Sequence, residues 1–144
     1  MKLCDMSINK SEDYGDIYEN PSLGSKGTYK VGFNNFRRFL EFDPLEYRGV
    51  TFLVGRNNSG KSTLVKALLL INDYLKSNDI SKFSIRDHFT EDANIMTFGR
   101  ARNNSNKSNS IKFSYGVENF QLEIEISGND DSTESFVHSF SVFD

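Results

Sequence analysis

Gly55 to Ser62 reads G-R-N-N-S-G-K-S, a string of the form GxxxxGK[ST] that ends in a lysine and a hydroxyl. Each residue type has a chemical use at that spacing. Gly55 permits a sharp exit from a strand, and Gly60 lets the backbone approach an oxyanion with no Cβ in the way. The amides from about Asn57 through Asn58 and Ser59 to Thr63 can then point inward as a nest at a helix N-terminus. Orphan N–H groups and the positive end of the helix dipole favour phosphate there. Lys61 is the candidate catalytic cation for the β- and γ-phosphates of a nucleotide. The Ser62 hydroxyl is the candidate ligand to Mg²⁺, which would take water and phosphate oxygens as its other ligands, and Thr63 adds a donor on the α-phosphate side.

Elements in the right order must position such a loop. Val50-Thr51-Phe52-Leu53-Val54 is apolar and β-branched and reads as a buried strand, and Ser62 to Tyr74 reads as a helix. Leu64, Ala67, Leu68, Ile71 and Leu75 form an apolar stripe at helical spacing, read as core. Upstream, Tyr29 to Phe33 alternates as a strand, a short strand falls near Glu41-Phe42, and Asp43-Pro44 marks a turn. Residues 1–27 are polar and acidic and read as a flexible or loosely docked leader.

Downstream, Ile80 to Phe98 shows no clear period and reads as a short helix and loops, and Asn103 to Asn109 is a polar loop. Ile111-Phe113-Tyr115, Phe120-Leu122-Ile124-Ile126 and Phe136 to Phe143 alternate with polar residues and read as an antiparallel meander with one solvated face. No second buried strand follows the loop helix, as a doubly wound sheet would require. The fold class is therefore α/β: strand, glycine loop and helix, joined to an antiparallel meander.

The chain has 144 residues, room for one domain but not for a full parallel sheet with accessory regions. Its net charge of −3 argues against a dedicated nucleic-acid binder, but the charges are segregated. From Lys26 to Lys66 there are eight basic and three acidic residues, and from Val117 onward seven acidic residues and no Lys or Arg. The basic stretch holds the loop, so attraction of a polyanionic nucleotide explains it, and ordinary variation of surface charge is the alternative. The single cysteine, Cys4, excludes an internal disulfide, and MKLCDMSINK has no apolar signal core. The longest apolar stretch, around Ala67 to Ile71, is too short to span a bilayer. These features point to a cytoplasmic chain with no membrane partner.

The stretch from Asn34 to Ile71 resembles the N-terminal lobe of ABC-type, RecF/SMC-like ATPases, and most closely AAA-family ATPases related to overcoming-lysogenization-defect (OLD) proteins. The likeness rests on G-x-N-N-S-G-K-S-T at Gly55 to Thr63 and on N-F-R-R-F at Asn35 to Phe39. Arg56 stands where many relatives have proline. The resemblance covers roughly residues 28–144 and implies a P-loop fold that is an incomplete domain. It also implies ATP and Mg²⁺ as cofactors, a homodimer when complete, and a missing C-terminal lobe or second subunit as partner. The meander would be the lateral sheet covering the base, and Arg37 would lie near the nucleotide. A solvent-exposed edge residue is the alternative for Arg37 or Arg38. Work on nucleic acid, or phage defence, is what the complete form implies.

Hydrolysis in that group needs an apolar strand ending in Asp-Glu, and Leu122-Glu123-Ile124-Glu125-Ile126 reads instead as a half-exposed strand. His88 and His138 lack metal-ligand spacing, and Asp87 and Glu91 are unconvincing as catalytic groups. The expected activity is nucleotide binding with little or no turnover. The alternative is a nucleotide-dependent partner-binding module without hydrolysis. A GTPase or kinase is disfavoured, because no D-x-x-G or [NT]-K-x-D motif follows the loop.

Overall fold

The computed structural model describes residues 6–9, 27–86, 95–105 and 108–144. Eight strands and two helices follow in chain order. They are β1 (Met6–Asn9), β2 (Tyr29–Phe36), β3 (Phe39–Tyr47), β4 (Phe52–Gly55), α1 (Lys61–Lys76), β5 (Lys82–Ser84), α2 (Phe98–Ala101), β6 (Ser110–Val117), β7 (Phe120–Ser127) and β8 (Glu134–Phe143). Six strands form one antiparallel sheet in the order β3-β2-β6-β7-β8-β5, and β1 and β4 form a separate antiparallel ribbon.

Alternation sets the faces of the large sheet. Ile111 and Phe113 on β6 and Leu122, Ile124 and Ile126 on β7 are buried, while Lys112, Gln121 and Glu123 face outward. Glu125, opposite Lys112 in register, pairs with it at 3.5 Å. Helix α1 contributes Leu64, Ala67, Leu70, Ile71 and Tyr74 to the same core. The Tyr74 ring stacks on Phe83 at 5.2 Å, and its hydroxyl donates to the carbonyl of Ile80 at 2.8 Å, which ties the end of α1 to β5. Burial pushes the Tyr74 phenol above its ordinary range. Phe83 stacks in turn on Phe113, which meets Phe36 edge-on.

Several sequence expectations need correction. The run Val50 to Val54 is not buried: Phe52 is 57% exposed and Val54 48%, because among the described residues β4 pairs only with β1 and no sheet layer covers that face. Asp43-Pro44 is not a turn but lies inside β3. Proline is tolerated there because β3 is an edge strand, and the register shifts between Val31 and Phe33 opposite it. The loop assigned after Ile80 contains β5, paired with β8. Leu75 is 48% exposed, and Leu70 and Tyr74 occupy the core in its place. Within the expected leader, Met6–Asn9 is a strand against β4.

Asp87, His88 and Glu91 lie outside the described residues, as does Cys4. His138, on the exposed side of β8, hydrogen-bonds the Ser127 hydroxyl. No helix among the described residues is long and apolar enough to cross a membrane.

Phe113 joins three parts of this core, since β6 carries it and it meets rings from β5 and β2. Phe113→Ala should destabilise the chain by about 3–5 kcal/mol in a urea titration. A loss under about 1 kcal/mol would show that the sheet does not depend on this ring stack.

Candidate functional site

Strand β4 ends at Gly55 and α1 begins at Lys61, so the five residues from Arg56 to Gly60 make the whole connection. The backbone is left-handed at Asn58 (φ 65) and at Gly60 (φ 106), alternating with Asn57 and Ser59, which are not. Such alternation curls consecutive peptide units into a concavity with the N–H groups on the inside. Ser59 N–H donates to Arg56 O at 3.1 Å, closing the turn. Gly60 is the N-cap of α1, with no side-chain cap, and its carbonyl accepts from the amides of Thr63 and Leu64. Among the described residues no hydrogen bond engages the amides of Gly60, Lys61 or Ser62. These are the orphan donors of the first helical turn.

Lys61 folds back over the concavity. Its Nζ donates to Gly55 O at 2.6 Å, Arg56 O at 2.7 Å and Ser59 Oγ at 3.3 Å. The ammonium is thereby held above the loop rather than in solvent. Ser62 is exposed at the mouth, whereas Thr63 is buried beneath it. Gly55, Asn57, Asn58, Ser59, Gly60, Lys61, Ser62 and Thr63 thus form one continuous segment that carries the unengaged amides of Gly60, Lys61 and Ser62, one cation and one accessible hydroxyl. That combination suits a phosphate chain and the metal that accompanies it.

The floor of the loop comes from the other sheet, which sequence reasoning did not foresee. Cε2 and Cζ of Phe39 occupy the space that a Cβ on Gly60 would need, Cε2 at 2.6 Å from that position. Phe39 is fixed by edge contacts with Phe33 and Phe42, at 5.7 and 5.3 Å between ring centroids. Arg38 crosses the same ring, its guanidinium carbon 5.9 Å from the centroid, and its Cδ lies 3.7 Å from the Gly60 position. Arg38 is therefore the arginine that leans on the loop. Arg37 turns away: its backbone is left-handed (φ 52), and its side chain lines a cavity with Arg100 and Asn104. The only sequence clue to this floor was the N-F-R-R-F string, which places an aromatic residue two positions beyond the turn arginine.

A family model described as an AAA ATPase domain matches residues 29–140. No curated protein matches the chain, and neither does any solved structure.

An alanine at position 60 would have to hold φ 106 and displace the Phe39 ring. Gly60→Ala is expected to cost about 2–4 kcal/mol, the sum of a left-handed strain and an overpacking penalty. In the Phe39→Leu background the same substitution should cost at least about 1 kcal/mol less, since part of the clash is gone. Equal costs in the two backgrounds, read from denaturation midpoints, would remove Phe39 as the floor.

Proposed function

The chain belongs to the AAA ATPase domain family, and from that premise we propose that Gly55 to Thr63 holds ATP with Mg²⁺. The observation that carries this reading is the Lys61 ammonium, bonded to Gly55 O and Arg56 O above three unengaged amides. The amides of Gly60, Lys61 and Ser62 would receive phosphate oxygens, and Lys61 would exchange loop carbonyls for the β- and γ-phosphates. Ser62 would supply a hydroxyl ligand to the metal, which would offset the charge of the phosphates. Arg38, leaning on the loop, adds a second cation beside the phosphates. The specific affinity to ABC-type, OLD-like ATPases rests on the motif at Asn35 to Phe39 and its contact with the loop.

We infer further that this domain acts with another part, either a C-terminal lobe or a second subunit in a homodimer. Phe52 and Val54 support it, because they expose one apolar face of the very strand that feeds the loop. Leu122 to Ile126 on β7 buries its apolar residues and carries its glutamates on the opposite face, so it does not end in a water-orienting acid near the loop. On this reading the chain binds nucleotide and leaves water activation to its partner, and ATP-driven association would be coupled to work on nucleic acid or to phage defence. A nucleotide-dependent binding module without hydrolysis differs from it only in what the partner adds.

Two measurements test the reading. In calorimetric titration with ATP and Mg²⁺, Lys61→Ala should weaken binding at least about ten-fold, or 1.4 kcal/mol. An unchanged affinity would remove the loop as the site. Steady-state phosphate release by the wild-type chain should stay more than about 100-fold below the ~10 s⁻¹ of an ordinary enzyme. Lys61-dependent turnover near that rate would place the whole catalytic apparatus in this chain.

A further inference from the structure

On the far side of the β2–β3 turn from the glycine loop lies a cavity of about 420 Å³ lined by Arg37, Ile95, Met96, Gly99, Arg100 and Asn104. Two of its six lining residues, Arg37 (φ 52) and Met96 (φ 82), are non-glycine residues in the left-handed region. Side chains disfavour that conformation, and it persists only where surrounding structure imposes it, at Arg37 in part through the two-residue β2–β3 hairpin turn. Here the imposing structure is visible. Arg37 N–H donates to Ala101 O at 2.5 Å, Asn103 N–H donates to Asn35 O at 3.0 Å, and Phe36 bridges Arg102. Buried Asn35 donates through Nδ2 to the carbonyls of Ser108 and Ser110. The end of β2 is thus zipped to the segment after α2, which brings Arg37 and Arg100 to one opening.

Among the described residues the charges there are unbalanced. Asp130, the carboxylate beside Gly99, is committed to Arg102, accepting from its Nε at 3.1 Å and its Nη2 at 3.0 Å. That guanidinium holds the Asp130 carboxyl below its ordinary range, so the pair stays closed at neutral pH. Among the described residues neither Arg37 nor Arg100 has an acidic partner. Two guanidinium groups at one opening repel each other until an anion lies between them, and their planar forks fit a tetrahedral oxyanion two oxygens at a time. Asn104 adds a neutral amide donor, and Gly99 presents no side chain. We propose that Arg37, Arg100 and Asn104 form a second phosphate-binding site, separate from the glycine loop, which receives a phosphate group of a polyanion. The turn between β2 and β3 divides the two sites, with Arg38 facing the loop and Arg37 facing the cavity.

The phosphate could belong to a free polyphosphate or to a nucleic-acid backbone. Inorganic tripolyphosphate and a roughly 12-nucleotide oligothymidylate are therefore titrated into the Lys61→Ala chain, whose loop lacks its cation. At least one should bind, and Arg100→Ala and Arg37→Gly should each weaken it at least about five-fold. Glycine at position 37 keeps the left-handed backbone. Arg48→Ala, which removes an exposed arginine elsewhere, should change affinity less than about two-fold. Tighter binding of tripolyphosphate assigns the site to free phosphates, and tighter binding of the oligonucleotide assigns it to a strand. Absence of binding by both, or an equal loss on Arg48→Ala, overturns the proposal. Failure of the wild-type chain to bind ATP would count against the glycine-loop reading alone, because the parent protein in this test already lacks Lys61.

Discussion

The Phe39 ring stands where Gly60 has no side chain, and the geometry of the glycine loop depends on that contact. Asn57 and Asn58 are exposed, so the loop has no core of its own to hold two left-handed residues in place. Phe39 does have one: it leans on Phe33 and Phe42, which stack on each other at 4.5 Å within the sheet. The aromatic packing of the antiparallel sheet therefore continues directly into the floor of the loop. Without a Cβ at position 60 the ring can approach from below while the amides stay unobstructed above. A buried apolar contact on one side of a glycine and a set of free donors on the other are two consequences of one missing methyl group.

Charge follows the same division. Three basic residues of the central stretch meet where the loop and the β2–β3 turn adjoin, with Arg38 against Gly60, Lys61 over the loop and Arg37 at the adjoining cavity. Acidic residues take the outer face of the sheet, where Glu41, Asp43, Glu123 and Glu125 line a groove of about 310 Å³ together with Lys112. Among the described residues these two surfaces therefore carry opposite charge. An approaching polyanion would be repelled from the sheet face and drawn to the turn and loop. Net charge alone conceals this, because it adds contributions from surfaces that face different ways.

The parts legible in the sequence were those governed by local rules. The alternation in β6 and β7 and the helical spacing of Leu64, Ala67 and Ile71 both depend on neighbours close in the chain. So does the order of strand, glycine-rich loop and helix around the G-x-x-x-x-G-K-S string, and these elements occur where they were expected. Phe136, Phe140 and Val142 of β8, expected to alternate into a buried face, are instead exposed. The misread parts were set by distant partners. β5 is three residues with no period, and it exists because β8 offers an edge. Asp43-Pro44 carries turn chemistry, yet an edge position and a register shift let the strand run through it. A run of β-branched residues means burial only when neighbouring layers exist, and β4 has none on one face. Spacing also could not tell Arg37 from Arg38, since a single left-handed φ at Arg37 decides which of them meets the loop.

The exposed face of β4 gives the arrangement its last constraint. The loop has two supports, Phe39 from the antiparallel sheet and β4 from the ribbon, and the first is fixed by the rings of Phe33 and Phe42. Phe52 and Val54 lie within three residues of Gly55, so anything that covers them also restrains the strand from which the loop departs. A ligand that favours the ordered loop must then favour the covered strand by the same factor, because coupling between two sites on one element is reciprocal. Nucleotide and partner would in this way act on a single element from opposite ends. Such a coupling would need no long pathway through the core: four residues of strand connect an apolar surface to the glycine loop, and the sheet behind Phe39 supplies the fixed frame against which both are measured.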